Sequence, residues 1–557
     1  MHISKKAFGL LLVALMVVSL AVCCSAEDAD KALSDAKEKV MAQYGENKKI
    51  TDGNYDKSLA VKCINGTFVG RKTGGVIAYK GIPFVGKQPV GNLRWKAPVD
   101  VVPDDGIYEA YYNAKSPCQM EAILEGASLY VKGEDCLYLN VWQADDGGKK
   151  KPVMVWIHGG GWEYGGTADP MYECGNLVKE NPDVIVVAIT YRVSIFGFLH
   201  LSHLPDGKDY PDAQNLGLMD QMMALKWIHE NIANFGGDPD NVTLFGESAG
   251  GESVTVLPLV EGSHKYFKRV IAQSGSPLLS ITSEQGINKT NEFMAALGCK
   301  TVADLQKVDV EKLLEASALI GDMSIGPERD GRYLPLDPYE AYTNGAAKDI
   351  DILQGCNKDE LNYFMVEEGG IEPFTASYTD RMTKNLAQLT DEEKALVDSF
   401  YNDLQGETYE KICRLYDQAW FIAPLFRLSE NQTKAGGKSY TYYFTVESSL
   451  PLMKSGHAVE LSAVLNHPEE KEITGRAFDE TFCKTMRKMW VQFAKTGNPS
   501  LSAEISPDGK AHEWPLYNLK DKEIMVFDEF NIHPEKESVL KILDWNRCYF
   551  LTKYYCI

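Results

Sequence analysis

The sequence predicts an α/β protein with a mostly parallel central sheet covered by helices. Seven short β-branched or apolar runs recur along it, at 153–157, 184–191, 241–245, 269–273, 350–354, 440–446 and 523–528. Near-continuous apolar runs of this kind belong to strands buried on both faces. Helical patterns lie between them, notably at 217–234, 248–260 and 476–495. Strand, crossover and strand in that order imply parallel pairing with helices packed on the sheet.

Taken in order, the chain opens with Lys5-Lys6, an apolar run from Ala7 to Cys24, then Ser25-Ala26 before Glu27-Asp28. That is the layout of a secretory signal peptide spanning 1–26, so the protein is expected to be secreted or held in the periplasm or cell envelope. Two alternatives are retention as an anchor and lipidation at Leu20-Ala21-Val22-Cys23, where valine before the cysteine matches poorly. Cleavage after Ala26 leaves 531 residues; the leader carries two lysines and no acid, so the net charge moves from −21 to −23. So acidic a chain opposes nucleic-acid or anionic-membrane partners. No later apolar run is long enough to span a bilayer, so no stable membrane insertion is expected after cleavage.

Residues 27–57 read as a lead-in: an exposed amphipathic helix over 30–43, then a polar, flexible stretch at 45–57. From residue 58 to 557 there is no linker, repeat or low-complexity tract, which favours a single domain. Within it, 280–345 and 376–436 lack strong strands and form a helical cap over one end of the sheet. Ten cysteines follow Ala26. In an exported chain some should pair, but none has zinc-type spacing, and neither a metal nor a cofactor is expected. The sequence leaves the oligomeric state open.

The chemistry is concentrated in a few short segments. Gly246-Glu247-Ser248-Ala249-Gly250 follows the apolar run Val242 to Phe245, the layout of a nucleophile elbow, in which small residues on either side let a strained serine sit above the sheet. The pentapeptide alone arises by chance in about one chain of this length in five, so its weight depends on company. His158-Gly159-Gly160-Gly161-Trp162 supplies some: three glycines after a strand let bare amides approach a substrate oxyanion. Triad order, serine then acid then histidine, leaves His457, His467, His512 and His533, of which His457 best follows a strong strand by a short loop. The acid should follow strand 350–354, where Asp359 and Glu360 are indistinguishable by spacing.

With these residues assembled, the chain resembles the type-B carboxylesterase and cholinesterase family of α/β hydrolases over roughly 60–550. The resemblance rests on Gly81-Ile82-Pro83-Phe84, Gly91-Asn92-Leu93-Arg94-Trp95, Glu134 to Val141, the glycine loop, Asn231 to Pro239 and Phe245 to Gly251. It implies an α/β-hydrolase fold and a serine carboxylesterase acting on small-molecule esters. Family patterns falling on Asn357 to Glu360 and Gly456 to Glu460 select Glu360 as the triad acid and support His457 as the base. They also imply Gly160, Gly161 and Ala249 as oxyanion donors, a Cys118–Cys136 disulfide and a structural Arg94–Glu134 ion pair. Glu247 is implied to tune the pocket floor, and Gly321, Met323 and Tyr363 to line the substrate pocket, the first two leaving a roomy acyl site. No tryptophan lies between Cys118 and Cys136, where choline-specific members place one to hold quaternary ammonium. The expectation is therefore an esterase without choline specificity.

Overall fold

The computed structural model describes residues 38, 41–120, 131–320, 325–387 and 389–540. Its centre is an eleven-stranded sheet. In chain order the strands are β1 (Arg71–Thr73), β2 (Val76–Pro83), β3 (Tyr138–Ala144), β4 (Lys151–Ile157), β5 (Ile185–Ile189), β6 (Gly237–Glu247), β7 (Arg269–Gln273), β8 (Asp351–Asn357), β9 (Ser439–Phe444), β10 (Glu523–Asp528) and β11 (Asn531–Lys536). Across the sheet the order is β11-β10-β9-β8-β7-β6-β4-β5-β3-β2-β1. The run from β5 to β10 is parallel throughout. β11 at one edge, and β3, β2 and β1 at the other, pair antiparallel.

The seven apolar runs are the seven parallel strands. Each is buried on both faces because alternate side chains enter different cores. In β4, Val153, Val155 and Ile157 join one buried cluster with Trp95, Trp227 and Phe235. Met154 and Trp156 join another with Trp142, Trp490 and Phe527. Helix α1 (Leu216–Asn231) packs in the first cluster, and the long C-terminal helix (Glu480–Thr496) packs in the second. Helices therefore cover both faces. The C-terminal helix begins at an Asp479 cap, whose side chain accepts from the Phe482 N–H, and ends at Gly497 with φ +78°, a conformation glycine adopts without Cβ strain.

The antiparallel strands β1 to β3 and β11, and a separate three-stranded sheet of Ala60–Cys63, Asn65–Val69 and Asp104–Glu109, lie outside the seven predicted runs. β1 is exposed along its length and β11 largely so, while β2 and β3 are mostly buried but broken by polar residues such as Lys80, Asn140 and Gln143, so none carries the unbroken apolar signal of β5 and β9. The stretch 45–57, expected to be flexible, is held in part: the Ile50 N–H donates to Ile107 O, and Asn47 Oδ1 accepts from the Tyr111 and Tyr112 N–H groups. Both predicted cap segments are largely helical, although 280–345 also holds the short parallel pair Ile281–Thr282 and Glu328–Arg329. The leader 1–26 and most of the helix expected at 30–43 lie outside the described residues.

Candidate active site

Five neighbouring strands end on the same side, and each leads into a candidate residue. β4 leads into the glycine loop, β6 into Ser248, β7 into Ser274, β8 into Glu360 and β9 into His457. Open α/β sheets bind ligands at the carboxyl ends of their strands.

Ser248 joins β6 to helix α2 (Ala249–Val256) with φ 56° and ψ −123°. A non-glycine residue held in such a sparsely populated region costs about 1–3 kcal/mol and persists only if its surroundings enforce it. The enforcement is visible. The Ser248 N–H donates to Gln273 O at 2.9 Å, and Ser248 O accepts from the Glu252 N–H at 2.8 Å. A Cβ at Gly246 would lie 2.6 Å from the Ile157 and Gly250 carbonyl oxygens, and one at Gly250 only 2.0 Å from Ile157 O. Both flanking positions must be glycine for the turn to close.

The acid and base are clamped together. Glu360, at the start of helix α3 (Leu361–Glu367), presents Oε2 to His457 Nδ1 at 2.6 Å. Its Oε1 accepts from Ser274 Oγ at 2.6 Å and from the Asn357 N–H at 2.7 Å. A carboxylate against Nδ1 holds the ring proton there and leaves Nε2 as the acceptor of the neutral ring. Asp359 takes a different partner, accepting from Arg414 Nη2 at 2.7 Å. The two carboxylates that spacing could not separate thus face different groups.

His457 Nε2 lies 3.1 Å from Glu247 Oε1, one residue before the serine, and no hydrogen bond joins Nε2 to Ser248 Oγ. A third carboxylate, Glu460, is buried and accepts from Gln273 Nε2 at 3.0 Å and Asn357 Nδ2 at 2.7 Å. Burial favours the neutral imidazole, but Glu247, Glu360 and Glu460 outweigh it and push His457 up to about 10. Burial, then the nearby Glu360 charge, pushes Glu460 up as well.

The glycine loop lies against this group. A Cβ at Gly159 would meet Glu247 O at 2.8 Å and Ser248 Cβ at 3.1 Å. Gly160 and Gly161 have φ of +99° and +59°, and among the described residues their N–H groups, like that of Ala249, donate to no acceptor. His158, which opens the loop, stacks on Tyr191 with ring centroids 4.3 Å apart, and burial pushes it down to about 4. Trp162, which closes it, donates from Nε1 to Glu252 Oε2 at 2.7 Å.

Tyr363 meets the His457 ring edge to face at 5.8 Å. Phe364 and Phe421 complete the wall, 5.3 and 5.1 Å from the same ring. Sequence reasoning missed both. Phe421 lies on a π-helical turn, Asp417–Ile422, a feature that concentrates at functional sites and leaves no periodic signal. Gly321 and Met323 lie outside the described residues.

The disulfide implied between Cys118 and Cys136 is not formed in the structure, where both side chains are thiols lining one cavity with Arg94 and Glu134. The loop between them is already closed at its base by the main chain, with the Ser116 N–H donating to Val131 O and the Gly133 N–H to Ser116 O. Burial pushes the Cys118 thiol up to about 12 and Cys136 well above its ordinary value. Arg94 and Glu134 form the expected ion pair through two parallel contacts, one of them Nη2 to Oε2 at 2.9 Å. Among the described residues, no group of three or more His, Cys, Asp or Glu could hold a metal ion.

A parallel-centred sheet with helices on both faces, carrying a strained serine elbow beside a carboxylate–histidine pair, defines an α/β hydrolase. The model of the carboxylesterase family matches residues 57–545. The chain belongs to that family, and it is a carboxylic ester hydrolase. It is 34% identical over 493 residues to the para-nitrobenzyl esterase of Bacillus subtilis (strain 168), covering 85% of this chain and 96% of that one. It is 30% identical over 519 residues to the cholinesterase of Mus musculus, covering 86% and 83%. Among solved structures, the Geobacillus stearothermophilus carboxylesterase EST55 superposes with a TM-score of 0.75 at 32% identity, covering 88% of this chain and 99% of that one.

Proposed function

We propose that the protein is a serine carboxylesterase without choline specificity, working through an acyl-enzyme on Ser248. The observation that carries this reading is the Glu360–His457 pair at 2.6 Å, with the far ring nitrogen turned to the residue beside the strained serine. Once Nε2 has given up its own proton to solvent, His457 exchanges its Glu247 contact for the Ser248 hydroxyl and takes that hydroxyl's proton as Oγ attacks the ester carbonyl. Glu360 holds the ring and stabilises the imidazolium. The unengaged N–H groups of Gly160, Gly161 and Ala249 receive the oxyanion, and losing one such donor typically costs about 2.7 to 4 kcal/mol of transition-state stabilisation. Protonated His457 then releases the alcohol, and water activated by the same ring hydrolyses the acyl-enzyme.

Tyr363, Phe364 and Phe421 offer an apolar wall for the ester's hydrocarbon, and the lack of tryptophan between Cys118 and Cys136 argues against a quaternary ammonium substrate. The leader at 1–26 adds export to the proposal, tested by an N-terminus of Glu27 on protein recovered outside the cytoplasm. The central test is hydrolysis of p-nitrophenyl esters from acetate to decanoate by wild type and Ser248→Ala, with a fluorophosphonate to count sites. Expected are a fast titration of one site per chain and a loss of turnover in Ser248→Ala by a factor on the order of 10⁴ or more. Equal rates in the two proteins would sink the assignment. A chain-length profile that falls steeply beyond acetate would sink the roomy acyl site implied by Gly321 and Met323.

A further inference from the structure

A second serine–histidine–carboxylate array stands apart from the Ser248 site and shares no residue with it. Ser202 Oγ lies 3.0 Å from His200 Nε2, and His200 Nδ1 lies 2.7 Å from Glu328 Oε2. Ser202 is exposed, whereas the side chains of His200 and Glu328 are 11% and 1% exposed. The hydroxyl therefore meets solvent while the groups behind it are shielded. Glu328 is also firmly placed. Its backbone exchanges hydrogen bonds with the Asn215 side chain at 2.8 and 3.0 Å, and its Oε1 accepts from Ser283 Oγ. Gly286 packs so closely that a Cβ there would lie 2.5 Å from Glu328 Oε2. With a carboxylate holding the proton on Nδ1, the neutral ring offers Nε2 as an acceptor, and the Ser202 O–H points its proton there. This is the arrangement of an activated nucleophile, a hydroxyl on a base that is oriented by a third group.

We propose that Ser202 is a second, surface nucleophile that takes acyl or phosphonyl groups from activated donors. In the acyl case Ser202 Oγ attacks the carbonyl of an activated ester, and its proton passes to His200 Nε2. The ester C–O bond breaks, the leaving alkoxide or phenolate takes that proton, and an Oγ–acyl bond remains. No triple-glycine loop adjoins Ser202 in sequence, so hydrolysis of the product should be slow and the reaction stoichiometric rather than catalytic.

The test uses the full chain carrying Ser248→Ala, which silences the first site, treated with p-nitrophenyl acetate and separately with a fluorophosphonate, with the adduct located by peptide mass spectrometry. Expected is one adduct per chain on Ser202, formed at least ten-fold more slowly when His200→Gln is added. Absence of an adduct on Ser202, or labelling unaffected by His200→Gln in a protein of unchanged melting temperature, would each overturn the proposal.

Discussion

Asp359 and Glu360 are adjacent in sequence, alike in charge and both buried, yet each faces a different partner. Glu360→Gln should leave the fold nearly intact, because the amide oxygen can still accept from Ser274 or Asn357. It should nonetheless lower kcat by a factor on the order of 10⁴ with little change in KM, since an amide no longer stabilises the imidazolium. Asp359→Asn should do the reverse. It removes a charged acceptor from Arg414 and should cost about 1–3 kcal/mol of stability, seen as a lower melting temperature, while kcat stays within a few-fold. If the two variants exchanged phenotypes, the acid would have been misassigned. Gly250 makes a stricter demand: a methyl group 2.0 Å from the Ile157 carbonyl oxygen would force the elbow open. Gly250→Ala should therefore abolish titration of Ser248 by a fluorophosphonate even where folded protein is recovered.

At the scale of elements, helix α2 and the glycine loop are tied together by the hydrogen bond from Trp162 to Glu252. Burial pushes Glu252 well above the usual carboxylate range, so it acts as a neutral acceptor. Glu252→Gln keeps an acceptor for the indole N–H and should retain kcat within about three-fold, whereas Glu252→Leu should free Trp162, shift the loop and lower kcat roughly 10- to 100-fold, in line with misplacements of about 1 Å. Equal kinetics in the two variants would show that the tie does not position the loop. A second coupling joins β6 to the loop after β9. Glu247 raises the His457 proton affinity, and a protonated ring cannot accept from Ser248. Activity should therefore rise with pH as His457 loses its proton, and Glu247→Gln, by removing one negative charge, should move that acid limb of kcat/KM about one unit lower. An unmoved limb would show that Glu247 leaves the base's titration unaffected. Much of this was legible in the sequence, because buried parallel strands announce themselves as apolar runs and glycine motifs mark backbone that only glycine can adopt. The Glu252–Trp162 tie, the π-turn carrying Phe421 and the second array at Ser202 were not. They depend on side chains meeting across separate elements, for which local pattern has no signature, and the antiparallel strands were hidden because polar or exposed positions break their apolar runs.

The whole molecule combines a net charge of −21 with interior carboxyl groups whose hold on the proton burial strengthens. Burial pushes Asp417, like Glu252, well above its ordinary value, the Arg414 charge only partly offsetting this, and Glu460 is raised too. In the unfolded chain these groups lose their protons near pH 4. Between that point and their folded values the native state holds more protons than the unfolded one, so each group makes stability fall as pH rises, by about 1.4 kcal/mol per pH unit. Carboxylates lowered by ion pairs, such as Glu430 beside Lys522 and Glu529 beside Arg476, act in the opposite sense and at lower pH. The contribution of one buried acid is isolated by difference. Glu252→Gln keeps the Trp162 contact but has no proton to lose, so its stability relative to wild type should increase as pH is raised from 5 to 7. Urea unfolding of both proteins at pH 5, 6 and 7 should show the gap opening in favour of the variant, by up to about 1.4 kcal/mol per unit. A constant gap would mean that Glu252 is ionised in the folded protein, with a cation such as Arg329, whose charge favours the ionised form, offsetting it inside the core.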